Sequence, residues 1–456
     1  MLKTANIDEL VNKKISSLTW QYALPAIIGT TVNALYNTID SIYIGHGLGD
    51  DAMSALGIAL PVMTIIAAVG MLVGAGSASR ISIFLGMGDK DAAEKIVGNA
   101  FTLSILFSGI TIILLSVFLD PLLLLVGATE HTFPYAHEFL RYYLPGSIFS
   151  TMCFGFNNMM RASGYPMKAM ITMLMSVVAN IILAPIFIFI FGWGMRGAAL
   201  ATIISMFISL VFVMHHFLNR TSMLRLRPVN FRLDKQIVKA IVSIGLSPFF
   251  IQLASATVVF LIIHSLQRYG GDLAIGAYNI ANKLVMIIIM IIVGLTQGMQ
   301  PIVGYNYGAR NMARVREAVN YTTKIGIIIG VVGFVIGVFL PEIVVKPFNP
   351  SPELEKAASN ALHIITVMLP LVGFQVVITN FFQCIGMAGK SIFLSLTRQF
   401  LFLIPALFTL PHFLGLNGVW ASIPVADFIA AVLTAIMFIW QIRVFKKIEA
   451  HNQATL

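Results

Sequence analysis

Twelve apolar stretches, each at least about as long as the 20 residues a helix needs to cross a bilayer, run through this 456-residue chain. Their extents are 18–44, 52–78, 96–118, 133–159, 168–191, 195–218, 237–266, 273–300, 319–340, 356–383, 391–411 and 415–440. Breakers separate them, including Gly45 and Gly47, Pro121, Gly164 and Pro166, Gly192 and Gly194, Gly270 and Gly271, and Pro411. Charged residues make up 11% of the chain, against about 25% in a soluble domain. Such a chain cannot cover a water-facing surface. The expected class is an all-α integral membrane protein with twelve transmembrane helices. The first segment, MLKTANIDELVNKKISS, is too polar for a cleaved signal, since its apolar run begins late and has no small-residue cleavage site. Cys153 and Cys384 both lie inside apolar runs and read as small hydrophobes, not as a disulfide.

The formal charge of +10 would suggest nucleic acid in a soluble protein, but here it is explained by topology. With the N-terminus inside, 22 Lys and Arg fall on inner segments and five, Arg141, Arg196, Arg268, Lys346 and Lys356, on outer ones. That asymmetry assigns both termini to the cytoplasm and leaves no need for a nucleic-acid partner. The longest basic stretch, Arg220 to Lys239, joins spans 6 and 7. The expected organisation is a six-helix lobe over 1–218, a basic linker over 219–236, a second six-helix lobe over 237–440, and a cytoplasmic tail over 441–456.

The two lobes repeat each other. GDDAMSALGIA (Gly49 to Ala59) aligns without gaps to GDLAIGAYNIA (Gly271 to Ala281), an offset of 222. LPGSIF at Leu144 matches LPLVGF at Leu369, and GMRG at Gly194 matches GLNG at Gly415. Six spans is an even number, so both halves insert the same way round. Two six-helix bundles related by a pseudo-two-fold along the membrane normal are expected. Parallel repeats of this kind are typical of transporters, with the substrate site near the midplane.

Four ionisable residues lie deep in spans, where each costs at least about 2.5–3.5 kcal/mol and marks a candidate site. They are Asp40, Lys283, Arg398 and Asp427. Asp40 shares a helical face with Asn33, Tyr36 and Asn37, at i−7, i−4 and i−3. Matching polar positions occur on span 5 (Ser176, Asn180), on span 6 (Thr202, Ser205, Ser209) and at the end of span 4 (Asn157, Asn158). A carboxylate among amides and hydroxyls in a low-dielectric site is suited to bind a proton or a hard cation such as Na⁺. The alternative is that Asp40 only caps an interhelical hydrogen-bond network. Lys283 lies in span 8 with Asn279, Met286 and Met290 on its face. It reads either as a substrate contact or as a paired or snorkelling amine. Arg398 and Asp427, on adjacent spans, read as an ion pair. The 23 methionines, Met152, Met173 and Met286 among them, are flexible, polarizable side chains that suit a site of broad specificity, though each one singly fits packing as well. Pro25, Pro61, Pro145, Pro185, Pro370 and Pro405 each delete a helical hydrogen bond, and Pro25, upstream of Asp40, bears most directly on motion.

Other motifs lead nowhere. Gly86-Met87-Gly88-Asp89 matches the GxGD of intramembrane proteases but lies in a charged loop with no second aspartate. No GxxxxGK[ST] loop is present, which argues against an ATP-driven pump. His215 and His216 have no metal-ligand partners in the sequence.

LPAIIGTTVNALYNTIDSIYIG in span 1, LGMGDKDAAEK, RASGYP, NIILAPIFIF, GMRGAALAT and PIVGYNYGARN, in this order, resemble the multidrug and toxic compound extrusion (MATE) family, in particular its MepA-like branch. The similarity runs over essentially the whole chain. Each motif is weak, and the ordered set is specific. The resemblance implies two lobes and efflux of cationic amphipathic compounds, driven by inward H⁺ or Na⁺ at the cytoplasmic membrane. It implies no organic cofactor, no metal other than a possible Na⁺, and a chain acting as a monomer among membrane lipids. The family's cation site maps to Asp40, Asn180 and Thr202, with Asn157 nearby. Substrate contacts are expected from Asn33, Tyr36, Asn37, Met152, Met173, Ser176, Lys283 and Met286. One departure matters: where the family's span 5 motif often has an aspartate, this chain has Ala184. Hard cations want several charged or carbonyl oxygens, so H⁺ coupling through Asp40 is expected over Na⁺. A lipid-linked oligosaccharide flippase of the same superfamily is the alternative, with Lys283 its only support. A membrane-embedded enzyme is a further one, but no pair of acid/base residues aligns in the spans.

Overall fold

The computed structural model describes residues 7–348 and 350–454, without the side chains of residues 7–8, 34–38, 50 and 447–454. Among the described residues every element is helical. The first half of the chain forms α1 (Ile7–Asn12), α2 (Ile15–Leu48), α3 (Asp50–Gly86), α4 (Lys90–Val117), α5 (Leu119–Val126), α6 (Phe133–Ala162), α7 (Pro166–Pro185) and α8 (Gly194–Leu218). The second forms α9 (Lys235–Gly308), α10 (Met312–Phe339), α11 (Pro341–Val345), α12 (Pro352–Ile365), α13 (Leu369–Cys384), α14 (Ala388–Leu396), α15 (Ile404–Leu414) and α16 (Leu416–Ala454).

Nine helices among the described residues are long and apolar enough to cross a membrane. One of them, α9, carries two of the expected spans folded back at Gly271, whose φ of 62° with ψ of −159° favours a residue without Cβ. α2 and α6, of 34 and 30 residues, complete the twelve crossings. The polar residues Glu138, Arg141, Asn157, Asn158 and Arg161 make α6 less apolar than its neighbours.

Proline acts unevenly. Pro25, Pro61 and Pro145 sit inside continuous helix. After Pro185 the helix widens into a π-turn over Ile186–Ile190, and span 11 does the same over Thr397–Leu403, next to Pro405. Span 10 is interrupted by a 3-10 turn at Thr366–Met368, just before Pro370. These are the usual places where a lost backbone bond is re-satisfied by a local change of helix type.

The internal repeat is carried by the backbone as well as by the sequence. Left-handed residues recur in pairs at Gly49 and Gly271, Gly88 and Arg310, Gly164 and Gly386, and Gly194 and Gly415. Each pair is separated by 221 or 222 residues. One residue after the second pair, Asp89 caps α4 by accepting from the Ala92 amide at 2.9 Å, and Asn311 caps α10 by accepting from Arg314 at 3.2 Å. The same turn is built twice from different residues.

The chain forms two compact units. The first holds the described residues up to Glu9 and Ile28–Gln252, and the second holds Leu10–Ile27 and Leu253 onward. The linker and the first part of α9 therefore belong with α3–α8, and the first part of α2 belongs with α10–α16. Close contacts hold each segment to its unit. In the first unit a Cβ on Gly245 would lie 1.7 Å from the Leu72 carbonyl oxygen, and one on Gly76 would lie 2.1 Å from that of Ile241. In the second unit Arg314 donates to the carbonyls of Leu10 (3.2 Å) and Lys13 (2.7 Å), and Trp20 donates to the Tyr321 hydroxyl at 3.1 Å.

The expected ion pair is present: Arg398 Nε donates to Asp427 Oδ1 at 2.6 Å, between the π-turn of span 11 and α16. The Asp427 side chain is 5% exposed. Removing one partner strands a buried charge, at a cost of about 3–5 kcal/mol, whereas replacing both by apolar residues is close to neutral. Arg398→Leu is therefore expected to lower the thermal midpoint of the purified protein strongly, and Arg398→Leu/Asp427→Leu to recover most of it. Equal melting of the single and double variants would show that the pair does not matter to the fold.

Candidate functional site

α2 and α7 run side by side in the first unit. A Cβ on Gly29 would sit 2.7 Å from Met173 Sδ, and one on Gly47 would sit 2.7 Å from the Phe189 ring. At about 1.5 Å per residue, these two contacts bring Asp40 level with residues 181–184 of the α7 span, about one turn beyond Asn180. Asp40 is buried, at 6% exposure. Its Oδ1 is enclosed and accepts no hydrogen bond among the described residues. A carboxylate oxygen without a donor bears its desolvation uncompensated, and a bound proton or cation would relieve it.

α7 and α8 are joined face to face by three polar contacts in antiparallel register. Asn180 Nδ2 donates to Thr202 Oγ1 at 3.2 Å, Ser176 Oγ donates to Met206 Sδ at 3.4 Å, and Ser209 Oγ donates to the Thr172 carbonyl at 3.1 Å. The Thr202 hydroxyl donates in turn to Ala198 O at 3.1 Å. Asn180 and Thr202, the expected partners of Asp40, thus form the rung of this ladder closest to it. Ser205, on the same face of α8, bonds back to the Ala201 carbonyl at 2.7 Å, within its own helix.

A buried apolar cluster begins one turn farther along each helix. Ile44 follows Asp40 by four residues, Ala184 follows Asn180 by four, and Ala198 precedes Thr202 by four, and all three are fully buried in one core with Leu123, Phe139, Tyr143 and Met195. Ala184, where the resembling family often has an aspartate, is therefore packed in this apolar cluster and brings no second carboxylate to the level of Asp40.

The remaining expected residues are dispersed. Asn157 donates to the Ala169 carbonyl at 2.7 Å, holding α6 to the start of α7. That contact is about eleven residues, roughly 16 Å, from the Asn180 level, so Asn157 is not brought to Asp40. Met152 is buried in α6, Met173 packs on Gly29, and Asn33 is half-buried. The side chains of Tyr36 and Asn37 lie outside the described residues. Lys283 and Met286 belong to the second unit, on an exposed face of α9 that also carries Asn279 and Ile287. Lys283 stands twelve residues, about 18 Å, from the Gly271 turn. A lysine exposed at that depth is costly to leave facing hydrocarbon.

Met206 and Thr172 complete the ladder but were not read as site residues from the sequence. The signal was available: once Asn180 is paired with Thr202, an antiparallel register pairs 176 with 206 and 172 with 209 or 210. By the repeat offset, the Arg398–Asp427 pair stands where Val177 and Met206 stand in the first unit. The second unit thus joins its corresponding helices by a charged contact in place of a neutral one. Among the described residues no three His, Cys, Asp or Glu side chains gather as metal ligands.

The profile of the MatE family matches residues 25–186 and again residues 248–409, the two matches being offset by 223. Multidrug export protein MepA of Staphylococcus haemolyticus (strain JCSC1435) is 27% identical over 422 residues, covering 92% of each chain. The protein of that name from Staphylococcus aureus (strain MSSA476) is 28% identical over 424 residues, 92% of this chain and 93% of the relative. Among solved structures, a MATE protein crystallised in a bent conformation superposes with a TM-score of 0.92 at 27% identity, covering 98% of this chain and all of the other. An outward-facing multidrug-resistance MATE transporter superposes with a TM-score of 0.90 at 28% identity and the same coverage.

Proposed function

The chain belongs to the MatE family, and from that membership we infer that it is a multidrug efflux transporter, not an enzyme, exchanging cationic amphipathic compounds for protons with Asp40 as the coupling carboxylate. The observation that carries the choice of Asp40 is its buried Oδ1 with no donor among the described residues, one turn from the Asn180–Thr202 rung.

Protons are favoured over Na⁺ on the donor set. A hard cation wants several charged or carbonyl oxygens. Here one carboxylate is accompanied only by the neutral Asn180 amide and Thr202 hydroxyl, and Ala184 supplies no second carboxylate. A proton needs only the single orphaned oxygen. When Asp40 takes up a proton its charge is lost, and its surroundings rearrange. Pro25 deletes a backbone bond at the place where α2 can bend in response. The bend then alters the substrate-bearing surface and releases the drug.

Asn33, Tyr36, Asn37, Met152, Met173 and Ser176 are proposed as substrate contacts in the first unit, and Lys283 and Met286 in the second. Both termini are proposed to be cytoplasmic, from the 22-to-5 charge asymmetry, and the transporter to act as a monomer in the cell membrane. The flippase reading is not favoured, because the curated relatives are multidrug exporters and a lone lysine is thin provision for a pyrophosphate. The deciding experiment is dye efflux from proteoliposomes under H⁺ and Na⁺ gradients imposed separately. The H⁺ gradient alone is expected to drive efflux. Efflux driven only by Na⁺ would overturn the proposed coupling ion.

A further inference from the structure

We propose that the linker between the halves, residues 219–239, is an interfacial anchor that binds anionic phospholipid. The segment is held rigidly on one face. Asn99 of α4 donates to the carbonyls of Asn230 and Arg232, both at 3.3 Å, and accepts from the Asp234 amide at 2.8 Å. Thr102 donates to the Phe231 carbonyl at 2.8 Å, and Phe231 stacks on Phe101 with ring centroids 4.8 Å apart. Leu224 and Leu226 are buried as well.

This seat fixes the depth of the segment. The 3-10 turn Pro228–Phe231 lies against Gly98 to Thr102, eight to twelve residues into α4 and about 12–18 Å from Lys90. The apolar run of α4 begins at Ile96. The turn is thus held at the height where that helix enters hydrocarbon, immediately after the apolar span of α8 ends at Leu218.

The other face is apolar and basic at once. Val229 is 80% exposed, Leu218 63% and Leu233 41%. Arg220, Arg232, Lys235 and Lys239, in the same segment, are all exposed. Arg227 is occupied by buried Glu94, with Nε 3.0 Å from the carboxylate. The one acidic residue of the segment, Asp234, turns its carboxylate to the amides of Gln236 (2.8 Å) and Ile237 (3.2 Å), at the start of α9. No carboxylate of the segment itself therefore answers the four exposed cations. Apolar side chains at the hydrocarbon boundary, in one segment with exposed cations, are complementary to acyl chains below negatively charged headgroups. The proposal does not depend on the coupling ion or on Asp40.

The test uses the full chain with Val229→Cys labelled by an environment-sensitive fluorophore. The native Cys153 and Cys384 are buried and leave the label selective. The protein is reconstituted in vesicles of phosphatidylcholine alone or with phosphatidylglycerol. In the anionic vesicles the label is expected to shift to the blue, resist aqueous iodide and be quenched by shallow spin-labelled lipid. Arg232→Gln, Lys235→Gln and Lys239→Gln, whose folding is checked by unchanged melting in detergent, are each expected to weaken the retention of phosphatidylglycerol about fivefold. Millimolar inorganic phosphate should leave the signal unchanged, and displacement by it would mean a free-anion site instead. A label equally open to iodide in both vesicle types, or protection indifferent to the three substitutions, overturns the proposal.

Discussion

Asp40→Asn is expected to abolish uphill drug export while leaving the protein folded and in the membrane. Asparagine keeps the shape of the side chain and adds a donor, so a role confined to capping a hydrogen-bond network would survive the change. It cannot exchange a proton, so a coupling role would not. Coupling free energies between sites run at about 1–3 kcal/mol, or 5–150-fold in affinity, and the whole of that term should disappear. In proteoliposomes the drug gradient should relax to equilibrium, and an imposed pH difference should no longer change its direction or extent. Export that keeps its dependence on the pH gradient would remove Asp40 from the mechanism. Binding of a fluorescent substrate to the purified variant, measured alongside, separates lost coupling from lost recognition.

The second large effect concerns the fold. Gly245→Ala places a methyl group 1.7 Å from the Leu72 carbonyl oxygen, and Gly76 makes the reciprocal approach to Ile241. The atoms in the way are backbone, which cannot swing aside as the tip of a side chain does. Overpacking costs about 1–3 kcal/mol and occasionally more, and a backbone obstacle puts this case at or above the upper end. The variant should melt well below the parent in detergent, and Gly245→Val lower still. Gly57→Ala is the matched control: it is helical and exposed, and nothing lies within 4 Å of its added methyl. It should be neutral or slightly stabilising, because alanine is the better helix former. If Gly245→Ala and Gly57→Ala melt alike, α3 and α9 are farther apart than described.

Much of the architecture was legible in the chain because the bilayer imposes a length and a polarity that composition records directly. The apolar runs and the 222-residue repeat required only that both halves obey the same physics. What they left open was local backbone. The π-turns at Ile186–Ile190 and Thr397–Leu403 follow from how freed carbonyls near Pro185 and Pro405 find new donors, and prolines at 25, 61 and 145 sit in uninterrupted α-helix. Periodicity cannot separate these outcomes, since neighbouring helices decide them.

The site divides in the same way. Asp40, Asn180 and Thr202 stood out because polar groups are costly in hydrocarbon, and so did the pairing of Arg398 with Asp427. Asn157 met the same criterion, yet its amide is used on the Ala169 carbonyl. Polarity in a span marks a residue as needing a partner without naming which one. Met206 needed no partner by that rule and still receives the Ser176 hydroxyl.

The sequence by itself determined that the protein spans a membrane twelve times in two like halves, since hydropathy and internal repetition are properties of the chain alone. Only the tertiary structure decided which part of each half packs where. Residues 10–27 go with the second unit and 219–252 with the first, because glycines at 76, 245 and 298 let particular backbones come within reach of one another. Such contacts are made between residues far apart in sequence. No pattern within either segment records them.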